Sequence, residues 1–430
     1  MSGLAKGFAK TTLSALPPPP PDPSPRSSEE GVEAVYDDSS SSSSLSSTGT
    51  VVPTSSLKAA PAPPVGWSDF FEQELYLDYQ TDSLRAQYHV YLTAPSAPNA
   101  PLFVCHHGAG SSALSFAPFA LELRKLLPTA GVLSLEARDH GSVVASPSSN
   151  NAILDFSLPV LTLDALAMIR LTQAKLAWPS LPPLVLVGHS LGGAVLTSVA
   201  ATFQLGPSVL GYAVLDVVEG SAMDALSSMS ALLRSRPSTF PTLQAAIDWH
   251  LRSRTLRNPA SARASVPSLL VELPSGEWTW RTDLAATQPF WAGWFEGLSR
   301  KFLEARGAKL LLLAGTDRLD KELMIGQMQG KFQMHVFPAA GHFIHEDLPA
   351  KTAAAVAEFF KRNDRSTLVL PPKVSELLAQ ASARRDTSTA FRGQAEPNHP
   401  EAHDSYEPGF VDTPGAATTV LPQTRLSMSG

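Results

Sequence analysis

Short apolar runs alternate with longer amphipathic stretches through the middle of the chain, from Trp67 to Arg362. Strand candidates among the short runs are HVYLTA, LFVCHH, VLSLEA, LVLVG, YAVLDVV, KLLLLAG and QMHVFP. The later ones lack polar alternation, which is typical of a sheet covered on both faces. Helix candidates among the longer stretches are SFAPFALELRKLL, LTLDALAMIRLTQAKLAW, LGGAVLTSVAATF and AKTAAAVAEFFKRN. This alternation predicts an α/β protein with a mostly parallel, doubly wound sheet and right-handed crossovers.

Both ends of the chain have a different composition. Residues 1–66 contain a five-proline run and a serine tract, and the chain after about residue 364 is polar and rich in Pro, Ser and Thr. Such segments bury too little apolar surface to offset the entropy lost on ordering. We therefore predict a disordered leader over 1–66, a folded domain over 67–363, and a disordered tail over 364–430 with one short helix in VSELLAQASARR.

Composition argues against several classes of partner. The formal net charge is −6 and the chain has no apolar run of the roughly 20 residues that a membrane helix needs, so neither nucleic acid nor membrane is expected. The single cysteine, Cys105, excludes an internal disulfide and any Cys-x-x-Cys zinc pattern, which fits the cytoplasm or the nucleus. We predict no metal and no cofactor.

The segment LVLVGHSLGG, residues 184–193, runs from a strand into a helix through a tight turn. Ser190 has Gly188 and Gly192 two residues to either side, where bulky side chains would collide. This pattern in this context is typical of a nucleophile elbow. The helix that begins at Leu191 would point backbone N–H groups toward an oxyanion at Ser190. A purely structural glycine turn is the alternative.

A second glycine-rich turn, HHGAG, follows the strand LFVC. Its Ala109 amide is the candidate for one donor of an oxyanion hole, and the Leu191 amide is the candidate for the other. The same region, GAGSSA, also matches a dinucleotide-binding fingerprint with Glu136 as a possible ribose acceptor. That alternative leaves Ser190 unexplained, whereas a serine esterase uses both turns.

The catalytic base is expected after the last strand. His342 lies in a Gly-His loop directly before the final helix, and its position makes it the candidate. His335 lies inside a strand and is expected to be a packed or edge residue. His345 would form only an isolated His-x-x-His pattern, which is weak support for a metal site.

The acid of a triad is harder to choose. Asp216 and Asp317 both follow strands, and both satisfy the order Ser, Asp, His. General architecture alone favours Asp317, since the acid usually follows the strand next to the histidine strand. Glu219 and Asp320 are lesser candidates, and each of these carboxylates has a helix cap or a structural ion pair as its alternative.

Longer blocks are far more selective than the serine motif. They are DVVEGSAMDALSSM, RPSTFPTLQAAIDWHLRSRTLRN, WTWRTDL, WAGWFEGLS and LLLLAGTDRLDKELMIGQMQGKFQM. These blocks resemble the protein phosphatase methylesterases, and the likeness runs from about Trp67 to Lys361. It implies an α/β-hydrolase fold with a helical cap. It also implies removal of the methyl ester from the carboxyl-terminal leucine of the protein phosphatase 2A catalytic subunit, which would be both substrate and binding partner.

The resemblance implies a triad of Ser190, Asp216 and His342, with Asp317 kept as the alternative acid. A general small-ester or lipid hydrolase of the same fold and a non-catalytic phosphatase-binding protein are the alternative functions. Two features depart from the family: the connection between VELPSG and EWTWRTDL is short, and the leader and tail are additional.

Aromatic residues are concentrated in the helical region after Asp216. They are Trp249, Trp291, Trp294 and Phe295. We interpret this region as a cap over the pocket that also helps to dock the partner. Plain core packing is the alternative for these rings.

Overall fold

The computed structural model describes residues 65–315 and 319–364, with the helical positions Ser375 and Leu378. These two positions lie in VSELLAQASARR, where a short helix is predicted. The predicted leader and the rest of the predicted tail lie almost entirely outside the described residues, so their disorder stays a prediction. None of the helices described is both long and apolar enough to cross a membrane.

The main sheet is mostly parallel, as predicted. The strands in chain order are β1 (Gln73–Gln80), β2 (Arg85–Thr93), β3 (Leu102–His106), β4 (Gly131–Leu135), β5 (Val143–Ala145), β6 (Leu184–His189), β7 (Val209–Leu215), β8 (Thr239–Phe240), β9 (Leu270–Glu272), β10 (Trp278–Trp280), β11 (Ala308–Leu313) and β12 (Gln333–Val336). The order across the main sheet is β1-β2-β4-β3-β6-β7-β11-β12, and β5 pairs with β2 outside this path. Along this order, neighbouring strands from β4 through to β12 are parallel, whereas β2 is antiparallel to β1, β4 and β5. Every predicted strand is present, while β1, β5 and the short strands β8 to β10 were not predicted.

The strand order reverses direction at β3. The chain moves from β3 outward to β4 and then returns to the other side of β3 to form β6. In doubly wound sheets, a crevice opens at the carboxyl ends of the strands where the order reverses. The two glycine-rich turns follow β3 and β6, so the topology brings them together at this crevice.

Apolar side chains of the central strands are buried on both faces of the sheet. In β3, Leu102 and Val104 belong to one hydrophobic core, and Phe103 and Cys105 belong to the other. All four are fully buried. This two-sided burial explains why these strands lack polar alternation.

Helices cover both faces of the sheet, and others lie in the segment between β7 and β11. The helices in chain order are α1 (Ala117–Leu126), α2 (Leu158–Lys175), α3 (Leu191–Thr202), α4 (Glu219–Ser235), α5 (Leu243–Arg252), α6 (Pro259–Ser265), α7 (Trp291–Phe295), α8 (Leu298–Glu304), α9 (Lys321–Met328), α10 (Ile344–Asp347) and α11 (Pro349–Asn363). Helices α1 and α11 share one core, and α2, α3 and α8 share the other. The predicted helices are present as α1, α2, α3 and α11.

The chain between β7 and β11 forms a cap with a small core of its own. This core contains Phe240, Ile247 and Leu270, contributed by α5 and a three-stranded sheet of order β8-β10-β9. The cap is therefore not purely helical, as it was predicted to be. Strands of two or three residues are too short to show an apolar pattern in the sequence. Its β9–β10 connection closes through Gly276, whose φ is +84°. The short connection noted in the sequence is thus a tight turn.

The cap lies directly against the turn that follows β3. A Cβ added to Gly110 would be 2.5 Å from Leu284 Cδ1 of the cap. Thr282 of the cap also donates a hydrogen bond from Oγ1 to the Asp139 carbonyl oxygen at 2.7 Å. The cap therefore covers one side of the crevice, as predicted.

Replacement of Gly188 by alanine tests the packing of the β6–α3 turn. The added Cβ would lie 2.2 Å from the Gly192 carbonyl oxygen, so the backbone would have to move. We expect Gly188→Ala to lower the free energy of unfolding by about 3 kcal/mol, measured by urea denaturation.

Gly293→Ala is the matched control. Gly293 lies in α7 and an added Cβ would meet nothing within 4 Å. Alanine favours a helix over glycine by about 1 kcal/mol, so this variant should be as stable as the parent protein or more stable. Equal stability of the two alanine variants would contradict the packing described for Gly188.

Candidate active site

Ser190 occupies a strained turn between β6 and α3. Its φ is 51° and its ψ is −122°, a backbone conformation that residues with a Cβ rarely adopt. The Ser190 N–H donates to the Leu215 carbonyl oxygen at 3.0 Å, which ties the turn to the end of β7. The side chain is therefore presented at the carboxyl edge of the sheet, as a nucleophile elbow requires.

The glycines on either side of Ser190 are needed for close backbone packing. A Cβ on Gly192 would be 2.1 Å from the His106 carbonyl oxygen and 2.5 Å from that of His107. A Cβ on Gly108 would be 3.0 Å from Ser190 Cβ. The turn that carries Ser190 and the turn after β3 are thus in direct contact. A purely structural glycine turn, which was the alternative, would not need this contact.

Asp216 and His342 meet beside this turn. Asp216 follows β7, is buried, and has a φ of 51°. Its Oδ2 is 2.8 Å from His342 Nδ1, and its Oδ1 accepts the Ala314 N–H at 2.9 Å. Because a carboxylate only accepts, His342 donates from Nδ1, and its Nε2 can act as a base. The His342 side chain is 44% exposed, so this nitrogen can reach a substrate.

His342 does not contact Ser190 through a hydrogen bond. Among the residues described, none joins Ser190 Oγ to His342, although Asp216 and His342 are already paired. Catalytic hydrogen bonds are often long in a protein without substrate and shorten in the complex. The alternative acid, Asp317, lies outside the described residues.

Ala109 and Leu191 flank the serine as the two candidate oxyanion donors. Leu191 is the first residue of α3, where backbone N–H groups have no partner within the helix. Ala109 follows Gly108, which contacts Ser190. The two amides thus belong to two turns that are in contact, and their role as donors stays a prediction.

The other candidate histidines are not placed for catalysis. His335 is half-buried in the edge strand β12, as expected. His345 is fully buried, and its ring lies 4.3 Å from that of Phe116. Neither of its ring nitrogens has a hydrogen-bond partner. No cluster of His, Cys, Asp and Glu suited to a metal occurs among the described residues.

His189, which precedes Ser190, holds the backbone of His342. Its Nε2 lies 2.9 Å from the His342 carbonyl oxygen, and the two rings are 4.7 Å apart. Burial, together with the nearby His345 and His342, lowers the pKa of His189 well below its usual value. A neutral His189 therefore donates to the His342 backbone without adding charge beside the base.

Glu219 and Asp320 have structural roles. Such roles were the predicted alternative to that of a catalytic acid. Glu219 accepts hydrogen bonds from the N–H groups of Gly297 and Ser299 at the start of α8. Asp320 caps α9 by accepting the Leu323 N–H at 3.0 Å. Neither carboxylate contacts His342.

Glu136 does not occupy a dinucleotide site. It is buried, and its Oε2 accepts the Ala113 N–H at 2.9 Å. Burial raises its pKa to about 7. The other oxygen, Oε1, lies 3.2 Å from His107 Nε2. A carboxyl that is enclosed in this way cannot reach the hydroxyls of a ribose.

A buried ion pair near the site was missed in the sequence. Arg138 donates from Nε to Asp164 at 2.6 Å and from Nη2 to the same carboxylate at 2.9 Å. Tyr88 Oη donates to Asp164 at 2.7 Å. This network fixes the segment after β4, and its members are separated by so many residues that no local pattern could reveal them.

The predicted docking role of the cap aromatics is wrong for Trp294. Its side chain is 1% exposed, and its Nε1 donates to the Phe156 carbonyl oxygen at 2.7 Å. Trp291 and Phe295 are buried as well. Trp249 is half-buried against Phe240. These rings therefore form core, which was the alternative.

Comparisons with known proteins agree with this geometry. The model of the alpha/beta hydrolase family matches residues 103–355. The crystal structure of E-2-(acetamidomethylene)succinate hydrolase superposes with a TM-score of 0.52, at 19% identity, over 67% of this chain and 100% of that one. The fold is therefore an α/β-hydrolase fold, as predicted.

Curated sequences are much more similar. Protein phosphatase methylesterase 1 of Aspergillus fumigatus is 58% identical over 399 residues, covering 90% of this chain and 94% of the relative. The Aspergillus oryzae protein of the same name is 53% identical over 436 residues, covering 93% of this chain and 100% of the relative. The chain belongs to the protein phosphatase methylesterase family.

The extent of the match corrects one expectation. The likeness was predicted to run from about Trp67 to Lys361, and the leader and tail were predicted to be segments that the family does not share. Alignments over 90% and 93% of the chain must include parts of these ends. The Schizosaccharomyces pombe protein phosphatase methylesterase 1 aligns over only 72% of this chain, at 44% identity. The ends are thus shared with some methylesterases and not with all.

Buried titratable groups predict how stability depends on pH. Burial lowers the pKa of His106 and His345 to about 3 and that of His107 and His140 to about 4. Burial raises the pKa of Glu136 to about 7 and that of Glu346 to about 8. Below pH 6.5, the usual pKa of histidine, these histidines bind more protons in the unfolded chain than in the folded protein. Above pH 4.5 the two carboxyls bind more protons in the folded protein, so their effect on stability is opposite to that of the histidines. The histidines outnumber them.

We therefore expect the free energy of unfolding to fall as the pH is lowered from about 6.5 to about 4.5. His345→Leu removes one of these titrations and replaces two unpaired nitrogens with apolar atoms. Urea denaturation at about pH 7 and about pH 5 should show a smaller loss for this variant than for the parent protein. An equal loss would contradict the assignment of His345 as a buried neutral histidine.

Proposed function

We propose that this protein is a serine carboxylesterase that removes the methyl ester from the carboxyl-terminal leucine of the protein phosphatase 2A catalytic subunit. The observation that carries the proposal is the 2.8 Å hydrogen bond between Asp216 and His342 beside the strained Ser190 turn. Membership in the protein phosphatase methylesterase family supports this choice of substrate. The phosphatase subunit is accordingly also the proposed binding partner.

The first step forms an acyl-enzyme. His342 Nε2 takes the proton of Ser190 Oγ while this oxygen attacks the ester carbonyl carbon. Asp216 holds the imidazole through Nδ1 and stabilises its positive charge. The amides of Ala109 and Leu191 receive the oxyanion, and each such donor contributes about 3 kcal/mol to transition-state stabilisation in comparable enzymes.

The second step releases the free leucine carboxylate. His342 returns its proton to the departing methoxy oxygen, and methanol leaves. Water then loses a proton to His342 and attacks the acyl carbon. His342 returns this proton to Ser190 Oγ as the acyl bond breaks, which frees Ser190 and leaves the leucine carboxylate. Apart from the ester and one water molecule, these steps use side chains and backbone groups of this chain.

The proposed location is the cytoplasm, the nucleus or both. Cys105 lies in β3 and is fully buried, and burial raises the pKa of its thiol. A buried thiol of this kind behaves as a small apolar side chain and needs no oxidising compartment.

Methyl release from carboxymethylated phosphatase 2A tests the proposal. We expect Ser190→Ala to lower kcat by about 10⁶-fold, since the serine and the histidine act as a unit. Asp216→Asn should lower kcat by about 10⁴-fold, because the amide NH2 would donate to His342 Nδ1 and hold the imidazole in the tautomer whose Nε2 carries the proton. Released methanol and the loss of the ester, followed by mass spectrometry, are the measurements.

Asp317→Asn is the matched control, since it changes the alternative acid in the same way. It should retain the activity of the parent protein. Loss of activity in Asp317→Asn with retention in Asp216→Asn would reverse the assignment of the acid. If the parent protein released methyl only from small free esters, the general hydrolase would replace the proposed function. If it released none, the non-catalytic phosphatase-binding alternative would gain support.

A further inference from the structure

The turn that carries Ala109 is held by two buried imidazoles, those of His107 and His140. Both side chains are almost completely buried, and their ring centroids are 5.0 Å apart. Neither residue contacts the Asp216–His342 pair. The mechanism described above uses His342 alone among the histidines, so the placement of these two rings needs its own explanation.

His107 holds the peptide unit on one side of Ala109. Its Nε2 is 3.1 Å from the Ala137 nitrogen, and its Nδ1 is 2.7 Å from the Gly108 carbonyl oxygen. Because a backbone N–H only donates, Nε2 accepts, and the ring proton is on Nδ1. The Gly108 carbonyl and the Ala109 N–H belong to one planar trans peptide and point in opposite directions.

His140 holds the peptide unit on the other side. The Gly110 N–H donates to His140 Nε2 at 2.9 Å, so Nε2 again accepts. His140 Nδ1 then donates to the Arg138 carbonyl oxygen at 2.9 Å. Arg138 is itself fixed by the paired hydrogen bonds to Asp164. A rigid segment after β4 is thereby connected to the peptide unit that follows Ala109.

Only a neutral imidazole can make these contacts. A protonated ring would direct an N–H toward the N–H of Gly110. The pKa of His140 is lowered to about 4, chiefly by burial and then by the neighbouring His107 and Arg281, although the hydrogen bond to the Arg138 carbonyl and the nearby Glu136 act in the opposite direction. His140 therefore stays an acceptor at neutral pH. Gly110 itself has a φ of +69° and lies against the Leu284 side chain, so the His140 contact is the polar restraint on its N–H.

We propose that His140 is a positioning residue for ester hydrolysis: its Nε2 holds the Gly110 N–H and thereby aims the adjacent Ala109 amide at the oxyanion. The inference rests on the proposed esterase function and on Ala109 as an oxyanion donor. His140 contacts no reacting atom. It acts through the backbone of the turn, and its effect should appear only when the oxyanion forms.

Two amide substitutions separate the acceptor from the rest of the side chain. The longer side-chain amide introduced by His140→Gln reaches the position of Nε2 and can accept the Gly110 N–H. The shorter amide introduced by His140→Asn reaches only the position of Nδ1, so it can donate to Arg138 but cannot reach Gly110. Both variants are neutral and polar, and they differ in reach.

The variants are compared by hydrolysis of p-nitrophenyl acetate and of a methyl-ester peptide. We expect His140→Asn to lower kcat by about 10²-fold with little change in KM, as for the loss of one oxyanion donor. His140→Gln should stay within about tenfold of the parent protein. His345→Leu, which changes a buried histidine with no hydrogen bond to the turn, should retain full activity.

A second readout excludes a merely structural effect. A boronic acid forms a tetrahedral adduct with a catalytic serine, and one of its oxygens occupies the oxyanion site. Its Kd should rise in His140→Asn by about the factor lost in kcat/KM, because the Kd does not depend on the fraction of folded enzyme. An unchanged boronate Kd, or equal activity of the Asn and Gln variants, would overturn the inference. Because p-nitrophenyl acetate and the boronate report on any serine esterase, this test remains valid if the phosphatase proves not to be the substrate.

Discussion

The close approach of the β6–α3 turn to the end of β3 is the constraint on which the site depends. Gly192 packs against the carbonyl oxygens of His106 and His107 with no room for a Cβ, and Gly108 packs against Ser190. The turn that carries Ser190 and the turn that carries Ala109 are therefore one packed unit, and each fixes the position of the other. The strained backbone of Ser190 persists because this packing leaves it no alternative conformation.

Burial separates the supporting histidines from the reactive one. A neutral imidazole has one donor and one acceptor, so it can join a backbone carbonyl to a backbone N–H. His107 and His140 do so beneath the oxyanion turn, where burial keeps them neutral. His342, by contrast, is partly exposed and paired with the Asp216 carboxylate. In the proposed mechanism this pairing would balance the positive charge that His342 gains, and the exposure of its side chain would let a substrate reach it.

Sequence reasoning was strongest where the signal is local. The strand, turn and helix around Ser190 are contiguous, so their pattern predicted both the elbow and its glycines. The acid could not be chosen from the residues alone, because Asp216 and Asp317 each follow a strand, and a sequence does not show that the Asp216 carboxylate lies beside His342. The docking role of Trp294 was wrong for the same reason, since its burial depends on Phe156, far away in the chain. The short strands of the cap were not predicted, because a segment of two or three residues is too short to show a periodic pattern.

Covalent labelling with a fluorophosphonate, followed by peptide mapping, tests the central claim that Ser190 is the nucleophile activated by His342. The account predicts one phosphonyl adduct, on Ser190, in the protein with both residues intact. Labelling should become far slower in a His342→Ala variant that remains folded, because the hydroxyl then has no base. An adduct on another residue, or labelling at the same rate without His342, would contradict the account.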